Sequence, residues 1–83
     1  MKTAKEMFEE LGYRYKGFGN TIAYSNYDPY SYEYKDIKFD NKTKTIDCKK
    51  GGNYFEPDKK FDITMQELQA INKQVEELGW LDA

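Results

Sequence analysis

Thr3-Ala4-Lys5-Glu6-Met7-Phe8-Glu9-Glu10-Leu11-Gly12-Tyr13 opens the chain, and its grammar returns in Thr64-Met65-Gln66-Glu67 and Glu76-Glu77-Leu78-Gly79-Trp80. Both stretches begin with a threonine followed three residues later by a glutamate. That spacing is a capping box: the threonine oxygen accepts from the glutamate N–H, and the glutamate carboxylate reaches back to the threonine N–H. Both stretches end in Leu-Gly-aromatic. A glycine there can take the left-handed backbone that stops a helix, because it has no Cβ to clash. Helices are therefore predicted from about Thr3 to Leu11 and from about Met65 to Leu78. Ala4, Met7, Phe8 and Leu11 make an apolar stripe on the first. Leu68, Ile71, Val75 and Leu78 make one on the second, with Met65 extending it. Ile63 is placed for a hydrophobic staple, and Trp80 and Leu81 for folding back onto the core.

The region between the helices reads as strands. Tyr13 to Lys16 is a short strand and Gly17-Phe18-Gly19-Asn20 a turn. Thr21 to Tyr27 is a strand with Ile22 and Tyr24 on one face, closed by the turn Asp28-Pro29. Tyr30 to Asp40 is the longest strand candidate, and its alternation has a fault. Tyr30, Tyr32 and Tyr34 share one parity, Ile37 and Phe39 the other, and period-two geometry puts the two groups on opposite faces. A bulge near Lys35-Asp36 would bring them together; without one the tyrosines lie opposite the core. Asn41-Lys42 is a hairpin tip. Thr43 to Lys49 returns with Ile46 and Cys48 inward and Thr45, Asp47 and Lys49 outward. Gly51-Gly52-Asn53 breaks that strand, and Tyr54 to Lys60 reads as loop, since Pro57 cannot donate to a ladder.

These elements add up to a single small domain over residues 1–83. The expected fold class is α+β: an antiparallel three- to four-stranded β-meander with an N-terminal and a C-terminal helix packed on one face. The expected core is Met7, Phe8, Leu11, Ile22, Ile37, Phe39, Ile46, Leu68, Ile71, Val75, Leu78 and Trp80. The start at Met1 with a capped helix close behind leads us to expect a complete small protein.

Composition narrows the chemistry. The chain has 83 residues and no histidine. It thus lacks the commonest general base, the usual serine and cysteine triads, and the usual ligands of zinc and iron sites. The single Cys48 cannot form an internal disulfide or a thiolate cage, and fits a reducing compartment. No G-x-x-x-x-G-K-[ST] or G-x-G-x-x-G pattern is present. The carboxylates show no spacing that demands a metal or an acid–base pair; Asp36 and Asp40 flank a strand end and read as structural. A core this small leaves little room for a reaction chamber. No apolar run approaches the ~20 residues of a membrane span. The expectation is a non-enzymatic cytoplasmic protein with no cofactor, no metal and no membrane contact. The formal charge of −2 argues against a general nucleic-acid binder.

Two groups of residues are candidates for recognition. All eight tyrosines lie between Tyr13 and Tyr54, with Tyr27, Tyr30, Tyr32 and Tyr34 packed closest. Tyrosine combines a broad apolar ring, a polar tip and few torsions to freeze, which suits a protein-binding surface. It also favours strands for packing reasons alone. Lys42, Lys44, Lys49 and Lys50 surround one hairpin. Beside aromatic rings they would suit a nucleic acid or nucleotide ligand through phosphate contact and base stacking. Lysines at a sheet edge also serve to block pairing with other chains. The acidic end of the second helix, Glu76, Glu77 and Asp82, is a docking face or simply solvated helix surface. A homodimer through an open sheet edge or the tyrosine face fits the same pattern.

The opening T-A-K-E-M-F-E-E-L-G-Y and the closing I-T-M-Q-E-L-Q-A-I-N-K-Q-V-E-E-L-G-W resemble small proteins of unknown function encoded by phages and prophages of Firmicutes. The resemblance is confined to the two ends. It implies an accessory protein acting in the cytoplasm of a bacterial host cell. It further implies binding that modulates or inhibits a host protein, host-defence proteins included.

Overall fold

The computed structural model describes residues 2–52 and 61–81. The expected loop over 54–60, Asn53 and Asp82 lie outside the described residues. The order of elements is α1 (Ala4–Glu10), β1 (Arg14–Phe18), β2 (Thr21–Asp28), β3 (Glu33–Asp40), β4 (Thr45–Gly51) and α2 (Met65–Glu77). The four strands form one antiparallel meander in the order β1-β2-β3-β4. The fold is α-β-β-β-β-α, an α+β arrangement with the full four strands.

Local sequence accounts for both helices at both ends. Thr3 and Thr64 each accept from the backbone N–H of Glu6 and Glu67, and each glutamate closes the box in return. At the other end Gly12 and Gly79 sit at φ +91° and +73°. There Gly12 N–H donates to Glu9 and Tyr13 N–H to Phe8; Gly79 N–H donates to Glu76 and Trp80 N–H to Val75. Both helices thus end in Schellman motifs. The Phe8–Tyr13 rings meet edge to face at 5.5 Å, which is the apolar contact that accompanies such a stop.

The helices run antiparallel. The Glu77 carboxylate at the end of α2 accepts from the Ala4 N–H at the start of α1, at 2.7 Å. An anion is favoured at that end of a helix, where unpaired N–H groups point outward. α1 covers β1 and β2: Phe8 stacks on Tyr24 at 4.0 Å and the Lys5 ammonium lies over the Tyr15 ring. α2 covers β2 and β3 through Tyr24 and Lys35. Phe8, Tyr13, Tyr24, Ile37, Phe39, Ala70 and Ile71 form the buried centre, with Met7, Leu11, Ile22, Val75, Leu78 and Trp80 packed around it. Trp80 folds back against Phe39 and donates its indole N–H to Asn41.

Three expectations change. First, β3 begins at Glu33, so Tyr30 and Tyr32 belong to the turn before it. Pairing with β2 is one to one from Asp28↔Glu33 to Thr21↔Asp40, with no bulge at Lys35-Asp36. Tyr34 therefore lies on the face opposite Ile37 and Phe39. Second, α2 is rotated relative to its apolar stripe. Glu67, Ala70, Ile71 and Gln74 are its buried residues, while Leu68 is 39% exposed. The cause is polar: Tyr13 donates to Glu67, and Tyr24 donates to Gln74 at 2.5 Å. Third, Ile46 is 40% exposed and Leu81 is 77% exposed. Ile46 points to the helix side of the sheet, but neither helix reaches over β4.

Candidate functional site

Because both helices occupy one face, the other face of the sheet carries no covering element among the described residues. Its cross-strand rows follow from the register. One row runs Arg14, Ser25, Asp36, Lys49, and the next Lys16, Ala23, Lys38, Asp47. A third holds Tyr27, Tyr34 and Gly51.

The last row leads into the turn at residues 29–32, and there the four candidate tyrosines separate into two kinds. Tyr27, Tyr30 and Tyr32 are 56%, 95% and 63% exposed. Tyr34 is half-buried, and its ring lies across Gly51: a Cβ built on Gly51 would fall 2.4 Å from the ring. An aromatic ring over a cross-strand glycine supplies the packing that glycine lacks. Tyr34 thus has a structural task, while the other three rings are more than half exposed.

The turn itself is well held. The Asp28 carboxylate accepts from the Tyr30 N–H at 2.9 Å, and the Asp28 carbonyl accepts from the Tyr32 N–H at 2.8 Å. The Tyr30 backbone N–H, then the Ser31 hydroxyl, hold the Asp28 carboxyl below its ordinary pKa. Tyr32 sits at φ +61°. A bulky side chain in that region strains against its own backbone, at a cost of about 1–2 kcal/mol. The next hairpin turn has Lys44 at φ +56°, so this conformation occurs twice without glycine among the described residues.

The four lysines do not come together. Lys42 and Lys44 lie in the turn after β3, at the end of the sheet away from Tyr34. Lys49 and Lys50 lie at the far end of β4, about 20 Å along the strand. Lys49 faces the open side beside Asp47 at 3.8 Å and opposite Asp36. Lys50 faces the helix side, in a shallow depression with Asp28, Glu33 and Lys35. On the open face Asp47 stands between Lys49 and the turn that carries Lys42 and Lys44.

The remaining candidates have local roles. Asp36 accepts from the Ser25 hydroxyl at 2.5 Å, and Asp40 accepts from the Lys42 and Thr43 N–H groups that shape the β3–β4 turn. Glu77 caps α1, and Glu76 pairs with Lys73 at 3.6 Å. Cys48 is half-buried, and burial followed by the charge of Asp47 pushes its thiol pKa up, away from a reactive thiolate. Among the described residues no group of acidic or cysteine side chains could hold a metal ion.

One feature escaped the sequence reading. Glu67 is 4% exposed and joins Tyr13, Lys35 and Thr64 in a buried polar network. Burial alone would raise its pKa; the Thr64 N–H, the Tyr13 hydroxyl and Lys35 together outweigh that and hold it low. Its position in the capping box was legible, its depth was not. No family model, curated protein or solved structure matches the chain.

Proposed function

We propose that the protein is a non-enzymatic binding module that engages a host protein through Tyr27, Tyr30 and Tyr32. The exposure of these three rings at one end of the sheet supports the reading. A folded chain gains nothing in stability from a Tyr30 that is 95% exposed, nor from a Tyr32 held in left-handed backbone. Three rigid amphipathic rings on a turn pinned by Asp28 are a pre-organised contact surface, and pre-organisation reduces the entropy lost on binding. The phage-like end motifs make a bacterial cytoplasmic protein the partner of this proposal, with inhibition of a host-defence factor as its outcome.

The experiment is affinity capture from a bacterial lysate with the wild-type chain and with Tyr27→Ser/Tyr30→Ser/Tyr32→Ser, each with and without nuclease. The triple variant should keep its helix content and melting midpoint yet lose one specific captured protein, regardless of nuclease. Equal capture by both chains, or material that nuclease removes, would overturn the proposal.

A further inference from the structure

We infer that β4 is a homodimer edge, pairing antiparallel with β4 of a second copy about a two-fold axis through Cys48. The four-stranded meander has two outer edges, β1 and β4, and neither has a further strand against it among the described residues. The two edges differ in what they allow. The charged residues of β1 are Arg14 and Lys16, so self-pairing brings like charge against like. β4 carries Asp47, Cys48 and Lys49 in succession. In an antiparallel self-pair centred on Cys48, each Asp47 stands opposite the partner copy's Lys49, and the contact occurs twice. Shifting the register by two residues sets Lys49 against Lys49 in one direction and Asp47 against Asp47 in the other. Opposite charges across a strand pair stabilise and like charges destabilise, so the strand's charge order selects one register.

The other face of β4 agrees. Ile46 and Cys48 point to the helix side; Cys48 is half-buried against the protein's buried centre, while Ile46 lies beyond it and is 40% exposed. In the Cys48-centred register Ile46 meets the aliphatic stem of the partner copy's Lys50, whose ammonium can still reach water. Exposed edge strands otherwise template aggregation, and a closed two-fold pair removes both copies of this edge. The two Cys48 Cα atoms would lie about 4.5–5.5 Å apart, within the reach of a disulfide.

The test is a charge-swap series followed by analytical ultracentrifugation. The wild-type chain should sediment at twice the monomer mass at high micromolar concentration. Asp47→Lys and Lys49→Asp should each weaken self-association by about tenfold or more. Mixing those two variants should restore a heterodimer, because every like-charged contact then becomes an opposite pair. Asp47→Lys/Lys49→Asp should dimerise like the wild type, which keeps the test decisive should one single variant fold poorly. Diamide, which takes the two electrons and two protons that the thiols lose, should cross-link the wild type through Cys48 and leave Cys48→Ser uncross-linked. The dimer does not use the tyrosine turn, so Tyr27→Ser/Tyr30→Ser/Tyr32→Ser should leave it intact. A wild-type monomer at all concentrations, or a dimer indifferent to both charge reversals, would overturn the inference.

Discussion

Tyr13 donates its hydroxyl to the carboxylate of Glu67, 54 residues further along the chain. This bond joins the exit of α1 to the first turn of α2 across the buried layer. The same carboxylate meets the Lys35 ammonium at 3.2 Å and receives the Thr64 backbone N–H at 2.8 Å. One side chain therefore caps a helix, anchors a strand and fixes which face of α2 is buried.

Removing that side chain should unfold the protein more readily than any surface change. Glu67→Ala leaves the Tyr13 hydroxyl and Lys35 without their partner and opens the capping box, a loss of about 2–4 kcal/mol. Glu67→Gln keeps the volume and can still close the box, and should cost about 1–2 kcal/mol. Urea denaturation of the two variants checks both the order and the size.

Acid should act through the same residue. The folded-state pKa of Glu67 is lowered, so its stabilisation is present above the ordinary glutamate pKa and is lost as pH falls through the folded value. The melting midpoint should drop below about pH 4.5. Glu67→Gln should flatten that drop, although Glu6 and Asp28 also carry lowered pKa values and will leave part of it.

Alkali acts in the opposite sense through Tyr24. Burial first, then the charge of Glu77, pushes its phenol up to about 12, and its hydroxyl is held by Gln74. A raised pKa means that the stabilisation is whole below pH 10 and is lost as pH rises toward 12. Tyr24→Phe should cost about 1 kcal/mol at neutral pH, because Gln74 loses its donor, yet it should reduce the alkaline slope of stability. Tyr13, whose pKa is also raised, will leave a residual slope. Tyrosinate absorbance followed alongside circular dichroism makes the measurement.

The two helices were legible because their caps are local. Thr3 with Glu6, Thr64 with Glu67, and the glycines at 12 and 79 act within a few residues of one another. The rotation of α2 was not legible. Apolar periodicity assigns Glu67 and Gln74 to water, and only tyrosine hydroxyls delivered by distant segments make their burial favourable. The parity fault between Tyr34 and Ile37 was visible, but the turn extends to Tyr32 because the Asp28 carboxylate holds the Tyr30 N–H, a contact that Asp-Pro alone does not announce. Lys42 to Lys50 looked like one cluster because they are close in sequence. The extended rise of β4 carries them apart.

Gly51 should resist any side chain. A methyl there would press on the Tyr34 ring, whose far end can swing away, so Gly51→Ala should cost about 1–2 kcal/mol through the lost cover. In a Tyr34→Ala background the same change should cost much less, and the double-mutant cycle should show that coupling. Additive costs would mean that the ring does not rest on Gly51.

Tyr32→Gly separates stability from recognition at a single position. At φ +61° a tyrosine is strained and a glycine is not, while glycine loses more backbone freedom on folding. The two effects oppose each other, and strain at a bulky residue is the larger. The variant should be as stable as the wild type or up to about 1 kcal/mol more stable. It also deletes a ring that is 63% exposed. If Tyr32 belongs to the contact surface, Tyr32→Gly binds the captured host protein more weakly while melting at the same or a higher temperature. A variant that melts lower shows the ring supporting the turn, and Tyr32 then leaves the proposed surface.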